Sequence, residues 1–260
     1  MLKGRTALVT GSTDGLGLAI AEALAKAGAN VAIHGLAERS AGEAVAARLA
    51  DQHAVETTFD GTDLADGAAI TAMIERIHTG LGPLDIVVHN AVVRHFHAVE
   101  DYSPDEWDAA LAVNLTAAFH IARLTLPAMK AGGFGRIIHL SSIYGSRGIA
   151  DRIGYVTTKT ALLGMTRAIA IEVAGTGVTC NALCPGSVLT PAIRDRLETA
   201  AAAEGRSFEA YAREYAAKRH PTGDFVAPED VGAMAVFLCG PHSSGVTGAS
   251  FQMDGGWQAA

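Results

Sequence analysis

The chain is poor in cysteine, in lysine and in long apolar runs, and each shortage excludes something. Three cysteines (Cys180, Cys184 and Cys239) are an odd number without CxxC spacing, so neither a disulfide framework nor a metal site built on them is expected. They read as reduced core thiols, which implies a cytoplasmic protein. No stretch reaches about 18 uninterrupted apolar residues, and the chain enters a strand-like run at Arg5 with no basic-then-apolar leader. Neither a membrane span nor an export signal is expected. Basic residues are outnumbered, 20 against 27 acidic, and the formal charge of −7 argues against nucleic acid as a partner. Only five of the twenty are lysine (Lys3, Lys26, Lys130, Lys159, Lys218), which leaves fifteen arginines. Repeats, low-complexity tracts and linkers are also missing. What is present is 49% apolar residues in 260, enough to exclude disorder and to fill the core of one α/β domain.

Short β-rich runs alternate with longer helical patterns, the form of repeated βαβ units. Seven strands are predicted, at Thr6–Thr10, Val31–Gly35, Val55–Asp60, Ile86–His89, Arg136–Ser141, Val178–Leu183 and Ser250–Met253. Most are near-continuous apolar runs, as strands covered on both faces must be. Helices are predicted at Leu16–Ala27, Ala37–Gln52, Leu64–Leu81, Pro104–Ala131, Arg152–Ala174 and Pro228–Leu238, the fourth opened by a capping box of Ser103, Pro104 and Glu106. The fold class is therefore a Rossmann-type, doubly wound, seven-stranded parallel sheet in a single domain spanning 1–260. Between the sixth strand and the last helix, Pro191 to Asp224 inserts an Ala- and charge-rich segment that reads as a helical lid over substrate.

The first strand runs into Thr10-Gly11-Ser12-Thr13-Asp14-Gly15-Leu16-Gly17. Glycines here let the backbone turn tightly and approach a pyrophosphate at the next helix's N-terminus. The spacing is TGxxxGxG rather than GxGxxG, and its position between a strand and a helix carries the argument. Cofactor contacts are expected from Gly11, Thr13, Asp14, Gly15, Leu16 and Gly17, from Leu36 after the second strand, and from Asp60 and Gly61 after the third. Asp14 would repel a ribose 2′-phosphate, so the expected cofactor is NAD. Arg39 is the residue that favours NADP. Asp60 is read either as an acceptor for the adenine amino group or as an ordinary turn aspartate.

Tyr155 and Lys159 are four apart in a helical pattern and share a face. A nearby ammonium lowers the pKa of a phenol, which makes the pair a general acid/base. Ser142 ends the fifth strand, on the sheet edge where α/β proteins bind ligands, and its hydroxyl suits a substrate oxygen. Taken with the glycine turn, Asp60, His89-Asn90-Ala91-Val92, Asn114 and Pro185-Gly186-xxx-Thr190, these residues make the chain resemble the short-chain dehydrogenase/reductase family over its whole length. The resemblance implies NAD-dependent hydride transfer at a CH–OH group, with Asn114, Ser142, Tyr155 and Lys159 catalytic. It also implies that Lys159 holds the nicotinamide ribose, that Thr190 meets the carboxamide, and that Asn90, Pro185, Gly186 and Val188 adjoin the cofactor. His89 and Val92 depart from the family's Asn-Asn-Ala-Gly.

Within the family the chain resembles the bacterial D-3-hydroxybutyrate dehydrogenases, in its opening Met1–Thr13, in Leu189-Thr190-Pro191 and in Asp254-Gly255-Gly256-Trp257. Where those enzymes place polar residues around the hydroxy acid, this chain has Arg94, Tyr144, Arg152 and Arg196. Together with Ser142 and Tyr155 these are the expected substrate contacts. Three permanently charged guanidinium groups around one small cavity call for a more anionic hydroxy or keto substrate, such as a dicarboxylate, sulfonate or sugar acid. Arg147 and Arg194 read as solvent-facing. His95 and His97 are not taken as metal ligands, because hydride transfer needs no metal. Family resemblance also implies a homotetramer. Two alternatives stand beside this reading: an NADPH-dependent 3-oxoacyl thioester reductase, and a non-catalytic dinucleotide-binding protein, against which the intact Ser-Tyr-Lys set argues.

Overall fold

A computed structural model describes residues 1–260. Its strands are β1 (Thr6–Val9), β2 (Asn30–His34), β3 (Thr57–Asp60), β4 (Ile86–His89), β5 (Gly135–Leu140), β6 (Val178–Pro185) and β7 (Ser250–Met253). They form one sheet in the order β3-β2-β1-β4-β5-β6-β7, and every pairing is parallel. The order reverses between β1 and β4, the crevice where ligands of doubly wound sheets bind.

The apolar strands divide their side chains between two faces. Ala7, Val9, Val31, Ile33, Ile86 and Val88 pack into one core with α1 (Gly15–Lys26), α2 (Arg39–His53) and α9 (Pro228–Cys239). Leu8, Ala32, Val87 and Ile137 pack into the other, against α3 (Gly67–Leu81), α5 (Ala117–Gly132) and α6 (Ile153–Glu172). Each fully buried Leu or Ile contributes about 1.5–3 kcal/mol, which is why alternation is absent from strands that have no wet face.

One predicted helix is not regular. Ser103 caps α4 (Pro104–Leu111) through the capping box, but Ala112–Thr116 then widens into a π turn before α5 resumes. The cause is Asn114, whose carboxamide both accepts from Val93 N at 2.8 Å and donates to Val93 O at 3.1 Å. The rod Pro104–Gly132 contains an 18-residue stretch with a mean hydropathy of 1.4, long and apolar enough to cross a membrane. Here it lies between α3 and α6, its Ala117, Ile121 and Met129 side chains buried in the core.

The inserted segment forms α7 (Pro191–Ala203) and α8 (Phe208–Ala217). Thr190 caps the first and Ser207 the second, each by accepting a backbone N–H. Arg206 ties the two together by pairing with Glu204 and Glu214.

Candidate active site

The turn after β1 is braced from both neighbouring strands. Asn90 N and Ala91 N donate to Thr10 Oγ1 at 3.0 Å, and Asn90 Nδ2 donates to Thr10 O at 3.0 Å and Gly11 O at 2.8 Å. From the β2 side, Gly11 N donates to His34 Nδ1 at 3.2 Å while His34 Nε2 donates to Thr62 O at 2.9 Å, which fixes the ring's tautomer. Burial holds His34 below the usual histidine value. Asn90 therefore sits beneath the turn and shapes it. His34 does the same, and sequence patterning missed it because an apolar strand hides which of its polar residues reaches across.

Gly11 and Gly15 take positive φ, and a Cβ at Gly17 would lie 2.0 Å from Gly11 O. The Asp14 side chain caps none of the first N–H groups of α1, so the positive end of that helix remains available to a phosphate. Leu36, 74% exposed at the end of β2, offers an apolar ledge. These features fit a dinucleotide. Asp60 is buried and already engaged: it accepts from Thr62 N and Oγ1 at 3.0 and 2.6 Å, and from Arg76 Nε at 2.8 Å. Burial opposes its ionisation, but the Thr62 and Arg76 contacts outweigh it and hold the carboxyl below its usual value. Beside it opens a pocket of about 440 Å³ whose lining includes Arg39, Asp60, Gly61, Thr62 and Arg76. Pro185 ends β6. The backbone then passes Gly186 and Val188, with Thr190 Cβ lying 3.6 Å from where a Gly15 side chain would begin. The segment from β6 thus reaches the glycine turn.

At the same edge, Ser142 follows β5 and is buried, its Oγ accepting from Tyr144 N at 3.2 Å, which leaves its proton free to donate. Tyr155 and Lys159 project from the first turns of α6. Lys159 is fully enclosed, donates to Leu140 O at 2.6 Å and stands 5.7 Å from the Tyr155 ring centroid. Burial pushes its ammonium down to about 8, against the partly restoring pull of Tyr155. For Tyr155, burial alone raises the phenol. The charges of Lys159 and Arg94, with hydrogen bonding from Ser142 and Arg94, outweigh that and leave it below its usual 10. Asn114 makes no hydrogen bond to Lys159. Its side chain holds Val93 and donates to Thr158 Oγ1 at 3.3 Å.

The arginines are distributed along a row of rings. Tyr144 lies 6.4 Å from Tyr155 and 5.9 Å from Trp257, edge to face in both cases. Arg94 stands 5.2 Å from the Tyr155 ring and Arg152 6.0 Å from Tyr144, with Phe96 on its other side. Arg196 points elsewhere, donating to Tyr215 OH on α8 at 3.0 Å. Arg147, read from sequence as solvent-facing, is exposed, and from there it donates to Trp257 O and stands 5.7 Å from its ring. Arg219, which the sequence did not single out, lies 3.6 Å from the Tyr215 ring and 5.9 Å from Trp257.

A family profile described as Enoyl-(Acyl carrier protein) reductase matches residues 11–258. D-beta-hydroxybutyrate dehydrogenase from Cupriavidus necator is 44% identical over 259 residues, covering all of both chains. The enzyme of the same name from Rhizobium meliloti is 37% identical over 98% of this chain and 99% of its own. The chain belongs to the short-chain dehydrogenase/reductase family. Among solved structures, L-sorbose reductase from Gluconobacter frateurii, complexed with NADPH and L-sorbose, superposes with a TM-score of 0.95 at 28% identity, over 100% of this chain and 98% of that one. This short-chain dehydrogenase/reductase is an NAD(P)-dependent oxidoreductase of CH–OH groups, close to the hydroxybutyrate dehydrogenases.

Its departure at His89 has a structural partner. His89 and His139 are register neighbours on β4 and β5, with ring centroids 5.0 Å apart. Burial, reinforced by the Lys159 charge, keeps both neutral, His139 pushed down to about 3. Val92 is half-buried after Ala91.

Proposed function

We propose that the protein is an NAD-dependent dehydrogenase moving hydride between nicotinamide and the secondary alcohol or ketone of a small, multiply charged anionic hydroxy compound. The observation that carries this reading is the Tyr155 phenol, held below its usual pKa beside enclosed Lys159 and within reach of Ser142. When bound, the nicotinamide supplies the hydride acceptor or donor. In oxidation Ser142 holds the substrate oxygen, the Tyr155 phenolate takes the hydroxyl proton at Oη, and the Lys159 ammonium stabilises that phenolate before the transfer. In reduction Tyr155 returns that proton.

Gly11, Thr13, Asp14, Gly15, Leu16, Gly17, Leu36, Asp60 and Gly61 line the adenosine and pyrophosphate end in this reading. Pro185, Gly186, Val188 and Thr190 line the nicotinamide end, and Asn90 shapes the turn. Arg94, Tyr144 and Arg152 meet the substrate directly, while Arg196 belongs to the lid of α7 and α8. The NAD preference rests on Asp14, and on Arg39 being turned to Glu43 at 3.4 Å. The rival, an NADPH-dependent 3-oxoacyl thioester reductase, is favoured by one feature: Arg39 and Arg76 line the same pocket beside Asp60. Absorbance of reduced nicotinamide, followed with NAD or NADP and a panel of hydroxy acids, separates the two. A higher kcat/KM with NADP, or best turnover of a neutral alcohol, sinks the NAD and anionic-substrate reading.

The protein works as a cytoplasmic homotetramer in this reading. Support comes from apolar side chains left exposed on the outer faces of α5 and α6, Phe119 at 51% and Ile171 at 78%. Light scattering giving a mass near 26.8 kDa rather than four times that value would refute the assembly.

A further inference from the structure

The row of rings that begins at Tyr155 runs outward through Tyr144 to Trp257, and a guanidinium stands beside each ring. None of these guanidinium groups, on Arg94, Arg152 or Arg219, has a carboxylate within ion-pair distance, whereas Arg194 and Arg206 on the lid do. Arg219 directs one N–H to Tyr215 O at 3.1 Å, and its Cζ lies over the Tyr215 ring, 3.6 Å from the centroid. Stacking of that kind fixes the guanidinium's position while leaving most of its five N–H groups unpaired. Arg152 stands 6.0 Å from the Tyr144 ring and Arg219 5.9 Å from the Trp257 ring, which itself lies 5.9 Å from Tyr144, so the two cations approach this pair of rings from the residue that opens α6 and from just beyond α8. Cations brought together on a single face without acidic partners repel one another unless a ligand supplies the charge.

From this arrangement we propose that Arg219 and Arg152 form a two-arginine clamp across Tyr144 for a second anionic group of the substrate, remote from the reacting carbon. Arg94, next to Tyr155, serves the nearer anionic group. The proposal rests on the dehydrogenase reading above and adds to it a substrate class, a hydroxy compound with an anionic group on each side of the carbinol carbon. It also gives the lid a chemical role. Arg219 follows α8 by two residues and is tied back to it through Tyr215 O, so engagement of the remote anion draws the lid toward Tyr144 and Trp257 and shields the hydride-transfer zone from water.

The matched probes are 3-hydroxyglutarate and 3-hydroxybutyrate, which differ by a carboxymethyl in place of a methyl on the carbinol carbon. The wild-type enzyme is expected to show the higher kcat/KM with 3-hydroxyglutarate. Arg219→Gln should lower the ratio of kcat/KM for the diacid to that for the monoacid about tenfold, equivalent to about 1.4 kcal/mol. The loss should lie in KM rather than kcat, and Arg219→Lys should recover part of it. Arg152→Gln should move the same ratio in the same direction. Parallel loss with both probes would make Arg219 a structural element of the lid and overturn the clamp, as would wild-type preference for the monoacid. In either case the dehydrogenase reading would stand. Failure of wild-type enzyme to turn over any hydroxy acid with either cofactor would instead bring down the reading on which the clamp depends.

Discussion

On the cofactor side the turn after β1 is held by backbone and buried hydrogen bonds, from Asn90 above β4 and His34 on β2, with no room for a side chain at Gly17. On the side proposed to take the substrate the candidate contact groups are long, charged and partly exposed, and they come from the loop after β4, the start of α6 and the lid. A pyrophosphate and two riboses are common to many enzymes, so a rigid cradle for them costs no versatility. Substrate recognition by guanidinium groups resting on rings can be retuned by single substitutions without disturbing the sheet. The catalytic set lies where the two constructions meet: Lys159 is locked to the Leu140 carbonyl, whereas Tyr155 is open to Arg94.

The largest expected effect lies at that junction. Tyr155→Phe removes the proton carrier and should reduce turnover by roughly 10²–10⁴-fold, with NAD affinity measured by calorimetry nearly unchanged. Turnover within a few-fold of wild type would dissolve the distinction between a binding half and a reacting centre.

Next in size is the cofactor cradle. A methyl at Gly17 would meet Gly11 O at 2.0 Å and Asn90 Nδ2 at 2.5 Å, and the first of these is backbone that cannot step aside. Overpacking of this kind costs typically about 1–3 kcal/mol, which for a chain of this size lowers the melting temperature by roughly 2–4 °C per kcal/mol. Gly17→Ala should show that drop in scanning calorimetry and should also lose the stabilisation that added NAD gives the wild type. A variant that melts normally and keeps its response to NAD would show the turn to be less rigid than its contacts imply.

The same contrast explains what was legible in the sequence. The seven strands, the glycine turn and the Ser142-Tyr155-Lys159 set are written in local patterns: continuous apolar runs, a strand-turn-helix junction and a four-residue helical spacing. The π turn at Asn114 was not, because its cause is a pair of hydrogen bonds to Val93, 21 residues earlier. Asp60 stayed open between a free acceptor and a turn aspartate: its contacts to Thr62 are local, but its partner Arg76 lies 16 residues away on another element. Arg219 escaped for a stronger reason. Its neighbour Trp257 lies near the far end of the chain, and only the folded lid brings the two together. Conversely, Arg196 matched a position in the family pattern, yet its guanidinium is held by Tyr215.

The smallest expected effect tests whether the arginine side of the molecule reaches into the chemistry itself. In alcohol oxidation Tyr155 must be deprotonated to accept the hydroxyl proton, so kcat/KM rises with pH through an apparent pKa that belongs to the Tyr155–Lys159 pair. Burial raises the phenol's pKa, and Lys159 is the main group bringing it back below 10; Arg94 adds to that pull both by charge and by hydrogen bonding. Removing a positive charge disfavours the phenolate, so Arg94→Gln should shift the midpoint of the pH profile upward, while Arg94→Lys, which keeps the charge but not the planar fork, should shift it less. Arg196→Gln serves as the comparison, because its guanidinium is engaged on the lid and does not contribute to the Tyr155 environment. Its midpoint should stay where the wild type's is, whatever happens to KM. An unmoved midpoint in Arg94→Gln would confine Arg94 to binding, leaving Lys159 and Ser142 alone to set the proton affinity of Tyr155.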